Sequence, residues 1–177
     1  MALVYVTGLS GTGKSTVMRA LRARGVPAYG VDEDCFGEWV ERSTGRVVPI
    51  AAEPLDIHDW YVAHEWRLSV DRIGGLKRDS DDAGTTAYLC GVASGDDAVW
   101  RFFDVVIALV LDFDTIRERI ERRTDNAFGK TPGELAEIAH WHSRYEVTYR
   151  GFGAVLVDAA KPVDVVVAEV LRAGRRR

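Results

Sequence analysis

A three-layer α/β/α sandwich on a five-stranded, mostly parallel sheet is the fold this sequence predicts. Three observations carry the prediction. Five short apolar runs alternate with helical patterns along the 177 residues, the order that puts helices on both faces of a parallel sheet. The run over 104–111, DVVIALVL, is apolar without alternation after its first residue, as a strand buried on both faces must be. The first strand also passes directly through a glycine-rich turn into a helix.

The elements follow in order. Residues 3–6 form the first strand. A helix over about 14–23 sets Val17, Ala20 and Leu21 on one face, and Gly25 stands where a helix-ending glycine belongs. Residues 27–31 read as the second strand and end in Asp32-Glu33-Asp34. The stretch from about 35 to 82 is the least regular. It holds Trp39, Trp60, Tyr61 and Trp66, with helices expected near 36–43 and 57–76 and a polar loop over 77–84. Residues 85–90 give the third strand, breaking at Gly91, and 104–111 the fourth. A helix then opens at Asp114 or Thr115 and carries Ile116 and Ile120. After a polar loop, Thr131 is an N-cap, Pro132 suits the first helical position, and Glu134 closes a capping box. That helix should reach about Arg150. Residues 154–157 are the last strand. Pro162 opens a final helix with Val163, Val166, Val167 and Val170 at helical spacing.

Composition narrows the function. Hydrophobic residues make up 47% and charged residues 28%, an ordinary globular balance that predicts one domain over 1–177. Lys plus Arg number 23 against 27 Asp plus Glu, a formal charge of −4, which argues against a nucleic-acid partner. Cys35 and Cys90 are far apart in the chain and in no metal-ligand spacing, so reduced thiols are expected. No leader-like segment or membrane-length apolar run is read, so a soluble cytoplasmic protein is expected. A monomer or weak homodimer is expected.

One motif carries chemistry. Gly8-Leu-Ser-Gly11-Thr12-Gly13-Lys14-Ser15-Thr16 fits G-x-x-x-x-G-K-[ST] at every position, between a strand and a helix. Its glycines let backbone N–H groups turn inward around a phosphate, and the helix N-terminus adds partial positive charge. Lys14 should reach the β- and γ-phosphates of ATP, and the Ser15 hydroxyl should ligate Mg²⁺. The base-reading N/T-K-x-D segment of a GTPase is absent from the sequence.

Much of the chain resembles shikimate kinase and its relatives in the nucleoside monophosphate kinase superfamily. The phosphate loop carries the resemblance first, then Val31-Asp-Glu-Asp34, Glu41-Arg-Ser-Thr-Gly-Arg46, Glu65-Trp-Arg67, Arg122-Arg-Thr124, Arg144-Tyr145 and Val157-Asp-Ala-Ala-Lys-Pro162, in that order. The resemblance implies a P-loop NTPase fold with a substrate-binding helical segment over about 35–82 and a lid over about 122–131. It implies an ATP-dependent phosphotransferase acting on a small metabolite. The chain departs from the family at Cys90-Gly91-Val-Ala-Ser-Gly95, which keeps part of a glycine run, and at Phe128-Gly129-Lys130, where a lid arginine is replaced.

Roles follow from phosphoryl-transfer chemistry and this resemblance. Asp34 is expected to orient the acceptor hydroxyl and accept its proton, and Asp32 to contact Mg²⁺ through water; both could instead cap the next helix. Arg123 and Lys130 are expected on the phosphates, and Lys161 and Pro162 near adenine. Arg67 and Arg144 are expected to clamp an anionic group of the acceptor, with Gly91 allowing its close approach. Asp112 ends an apolar strand as a magnesium-ordering carboxylate would, but a helix-capping role is favoured. The four histidines form no zinc pattern. The tryptophans are core or lid packing, with stacking of a planar substrate on Trp39, Trp60 or Trp66 as the alternative. A nucleoside or nucleotide kinase, an antibiotic phosphotransferase and a nucleotide-dependent switch remain competing functions.

Overall fold

The computed structural model of the chain describes residues 1–49, 57–93 and 97–175. Five strands, β1 (Leu3–Gly8), β2 (Ala28–Gly30), β6 (Ala87–Cys90), β7 (Val105–Val110) and β8 (Val155–Asp158), form one sheet in the order β2-β6-β1-β7-β8. Every neighbouring pair in it is parallel. The expected strands are therefore present, with ends moved by a residue or two.

The layers follow from side-chain alternation in β1. Val4 and Val6 face one cluster, packed against α1 (Lys14–Arg22), α5 (Phe113–Arg122), α6 (Pro132–Gly151) and α7 (Val163–Ala173). Leu3 and Tyr5 face the other, against Ile73 and Leu76 of α3 (Val70–Asp82). All four residues are fully buried or nearly so, so β1 is the centre of the sandwich. Thr131 and Glu134 form the expected capping box at the start of α6.

The region from 35 to 82 differs from expectation. In place of the helix near 36–43, and interrupting the helix expected over 57–76, a second sheet forms from β3 (Gly37–Glu41), β4 (Val47–Val48) and β5 (His64–Leu68), antiparallel in the order β4-β3-β5. Helix α2 (Ile57–Ala63) ends where β5 begins. Trp39 sits opposite Trp66 in the register, and such cross-strand aromatic pairs stabilise a sheet. Each strand is five residues or fewer, too short for its periodicity to be read apart from its partners. Helix α3 also runs through the expected polar loop to Asp82, with Lys77 holding Asp81 one turn on at 2.7 Å. A short helix, α4 (Asp97–Trp100), was not expected. Ser94 and Gly95 of the partial glycine run lie outside the described residues.

Gly91 is placed by packing. A Cβ there would lie 2.1 Å from Val31 Cγ2 and 2.3 Å from Val31 Cβ, and Gly91 does not line the cavity described below. The expectation that it receives the acceptor is therefore replaced by a close approach between the ends of β2 and β6. Gly91→Ala should lower stability by about 1–3 kcal/mol, the usual cost of overpacking; an unchanged midpoint of thermal unfolding would refute this. No helix among the described residues is long and apolar enough to cross a membrane.

Candidate active site

The C-terminal ends of β1 and β2 open into a cavity of about 1230 Å³. That exceeds the roughly 300–1,000 Å³ of a site for one small molecule and leaves room for two ligands side by side.

The phosphate loop forms the floor. β1 ends at Gly8, where a Cβ would lie 2.3 Å from Thr12 Oγ1. Thr12 donates from Oγ1 to the Leu9 carbonyl at 2.8 Å and from its N–H to the same oxygen at 3.2 Å, which closes the loop on itself. Gly11 and Gly13 have φ of +86° and +97°, backbone that glycine adopts at little cost. Helix α1 starts at Lys14 with neither a side-chain cap nor an acidic residue in its first turn. Its leading N–H groups and dipole are thus left for an anion. Residues Gly11, Thr12, Gly13, Lys14, Ser15 and Thr16 all line the cavity.

Lys14 donates from Nζ to the Leu9 carbonyl at 2.9 Å. Burial pulls its pKa down to about 8, with Asp32 opposing the shift and Arg123 adding to it. A folded-state pKa below the ordinary 10.5 means the burial penalty is fully present below pH 8 and is relieved as pH rises from about 8 towards 10.5. Nucleotide phosphates favour the charged form. Binding at pH 8 should therefore take up as much as about half a proton, and less as pH falls towards 6. Calorimetric titrations in buffers of different ionisation heat measure this. Equal uptake in Lys14→Met would refute the assignment.

Arg123 ties the loop between α5 and α6 to this floor. It donates to Ser10 Oγ at 3.0 Å, to the Asn126 carbonyl at 3.0 Å and to the Phe128 carbonyl. Lys130, expected on the phosphates, instead donates to the Arg123 carbonyl at 2.6 Å and does not line the cavity. It closes the loop's base.

The acidic segment after β2 divides. Asp32 lines the cavity, and desolvation raises its pKa from the ordinary value against the pull of Lys14. Asp34 turns away. Its Oδ2 accepts from Arg22 at 2.6 Å and from the Gly30 N–H at 2.7 Å, and it does not line the cavity. The carboxylate expected at the acceptor thus holds the turn after β2, and its neighbour two residues earlier faces the cavity. Asp112 is the N-cap of α5, accepting from the Thr115 N–H at 2.9 Å and from Thr115 Oγ1 at 2.7 Å, as the capping reading favoured.

At one end of the cavity lie Arg119, Ala159, Lys161 and Val166, where the sequence expected adenine. Arg119 donates to the Ala159 carbonyl at 3.1 Å and Lys161 to Glu169 at 2.8 Å. Pro162 is the N-cap position of α7 and stands outside the lining.

The other end is aromatic. Trp39 of β3, Trp66 of β5, Tyr61 of α2 and Trp141 of α6 line it. Trp60 does not, stacking instead on His64 at 3.8 Å. Arg144 lines this end and, among the described residues, has no carboxylate partner. Arg67 is on strand β5, not on a helix, and reaches Glu38 across the sheet at 3.4 Å. The expected pair of arginines is therefore not assembled. The sequence reading missed Tyr61 and Trp141 as site residues. A signal for Trp141 existed: Glu137, Trp141, Arg144, Tyr145 and Thr148 recur at helical spacing along one face of α6, and all line the cavity.

The donors also fit a hard cation. Among the described residues, no group of three or more His, Cys, Asp or Glu could hold a metal ion. Ser15 and Asp32 line the cavity beside Lys14, and one or two oxygens completed by phosphates and water is how Mg²⁺ is bound at nucleotide sites.

A parallel sheet with a glycine-rich loop between its central strand and α1 defines a fold of the P-loop kinase type. Solved structures share it. Shikimate kinase from Acinetobacter baumannii, in complex with shikimate, matches with a TM-score of 0.60 at 14% identity, over 97% of this chain and 92% of that one. Deoxyadenosine kinase from M. mycoides, with bound dATP, matches at 0.51 and 14%, over 97% and 98%. A gluconokinase from Sinorhizobium meliloti 1021 matches at 0.50 and 18%, over 97% and 90%. At these identities the likeness is one of fold. No protein-family model matches the chain, and no curated protein matches it in sequence.

Proposed function

We propose that this chain is an ATP-dependent kinase that moves the γ-phosphoryl group of ATP onto a hydroxyl of a small molecule. One observation carries the reading: a single cavity of about 1230 Å³ joins the phosphate loop, Lys14 and Asp32 to a separate aromatic end with room for an acceptor.

The transfer forms a bond between the acceptor oxygen and the γ-phosphorus and breaks the bond from that phosphorus to the β–γ bridging oxygen. ADP leaves. The hydroxyl proton passes to Asp32, the carboxylate of the acidic segment that faces the cavity beside Lys14. The loop N–H groups and Lys14 hold the β- and γ-phosphates, and Arg123 meets charge that spreads over the transferring group. Ser15 and Asp32 would hold Mg²⁺, which neutralises phosphate charge when bound. The loop over 123–131, anchored to Ser10 through Arg123, acts as the lid that keeps water out.

The test is ADP release with Mg-ATP against hydroxy acids, sugars, nucleosides, nucleoside monophosphates and aminocyclitols, each compared with ATP alone. An acceptor that raises ADP release well above that background, with the rise lost in Lys14→Ala, is the expected result. A flat panel from protein that binds ATP tightly would overturn the reading in favour of a nucleotide-dependent switch.

A further inference from the structure

We infer that the acceptor is a neutral alcohol with a flat aromatic or heteroaromatic ring, which stacks on the tryptophan wall and presents its hydroxyl to Asp32. This rests on the kinase reading above and narrows its substrate class.

The wall is continuous. Ring centroids lie 5.3 Å apart from Trp66 to Trp39, 5.8 Å from Trp39 to Tyr61 and 5.6 Å from Tyr61 to Trp141. All four rings line the same cavity as the phosphate loop. They pack on one another at 41° to 81°, so a ligand ring stacks on the wall and does not slot between its members. A small polyhydroxy acid would leave most of this apolar surface wet, whereas a flat ring covers it and adds stacking.

Charge points the same way. A carboxylate acceptor needs free cations around it, and the arginines here are mostly committed. Arg42 is held by Glu65 at 2.9 Å and Arg67 by Glu38 at 3.4 Å. Arg144 remains, but Glu65 and Glu137 line the same end. At this end an anion would find, among the described residues, one arginine without a carboxylate partner. A neutral ring edge that carries an acceptor can use Arg144 without setting a second negative charge among these carboxylates.

The experiment uses the whole chain with Mg-ATP and five probes: thymidine, 2′-deoxyadenosine, 2-phenyl-1,3-propanediol, shikimate and gluconate. ADP release and mass spectrometry of the phosphorylated product are read for each. Turnover of at least one ring-bearing alcohol, with the two acids at background, is expected. Trp141 is 37% exposed on α6, so Trp141→Ala should fold. It should raise KM for the working acceptor by roughly 5- to 150-fold, the range one stacking ring contributes, with kcat and the KM for ATP changed by less than about 2-fold. Trp39→Phe keeps a ring in the wall and should retain most of the affinity that Trp39→Ala loses. Transfer to shikimate or gluconate alone would overturn this inference and leave the kinase reading standing. No transfer to any of the five probes by ATP-binding protein would overturn this inference, and the wider panel above then decides the kinase reading. Turnover of a ring-bearing alcohol that neither Trp141→Ala nor Trp39→Ala alters would overturn the role of the wall.

Discussion

Asp32→Asn should lower phosphoryl transfer by about 100- to 10,000-fold, the range for loss of a positioned general base, while nucleotide binding persists. Asp34→Asn should leave transfer within about 3-fold of wild type and change stability by no more than about 1 kcal/mol, as expected for a partly exposed ion pair. The contrast comes from geometry. Asp32 lines the cavity beside Lys14. Asp34 is bonded at 2.6 Å to Arg22 and at 2.7 Å to the Gly30 N–H. Steady-state kinetics of the two variants, with nucleotide affinity measured separately, decides between them. If Asp34→Asn is the slow variant and Asp32→Asn the near-normal one, the assignment of the base is wrong.

Lys14→Ala should reduce ADP formation by at least about 100-fold and towards 1,000-fold, because a preorganised charge aimed at the transferring phosphates is removed from a desolvated site. Burial makes this lysine costly to keep: its pKa falls to about 8, and desolvation of a cation is unfavourable without an anion nearby. Lys14→Met keeps the stem and loses only the charge, so it should be as slow as Lys14→Ala while melting closer to wild type. Near-normal turnover in Lys14→Met would show that the loop does not hold the transferring phosphates.

How much of this was legible in the sequence depended on the range of the forces involved. The phosphate loop was, because glycine spacing, the lysine and the flanking strand and helix all lie within one local stretch, and the backbone needs positive φ at Gly11 and Gly13. The capping box of α6 was legible for the same reason. The second sheet was not. GEWVE and HEWRL become strands by pairing with each other across 29 residues from Glu38 to Arg67, and nothing local says which partner is present.

The candidate site divides along the same line. Sequence placed Lys14, Ser15, Asp32, Arg123, Arg144 and Lys161 as candidates, and all six line the cavity. It also nominated Gly8, Gly91, Asp34, Arg67, Lys130 and Pro162, which do not. For Asp34, Arg67 and Lys130 the reason is an available partner: Arg22, Glu38 and the Arg123 carbonyl each capture a polar group that motif order alone had left free.

The sequence by itself determined the class of fold, the glycine-rich loop after β1 and the capping box of α6, since these depend on periodicity, backbone conformation and hydrogen bonds between near neighbours. Only the tertiary structure decided which carboxylate of Asp32-Glu33-Asp34 faces the cavity, which arginines stay available, and that four aromatic rings from β3, β5, α2 and α6 share one wall. Those outcomes depend on contacts between residues far apart in the chain, and charge pairing and apolar burial choose among partners only once the fold has brought them together.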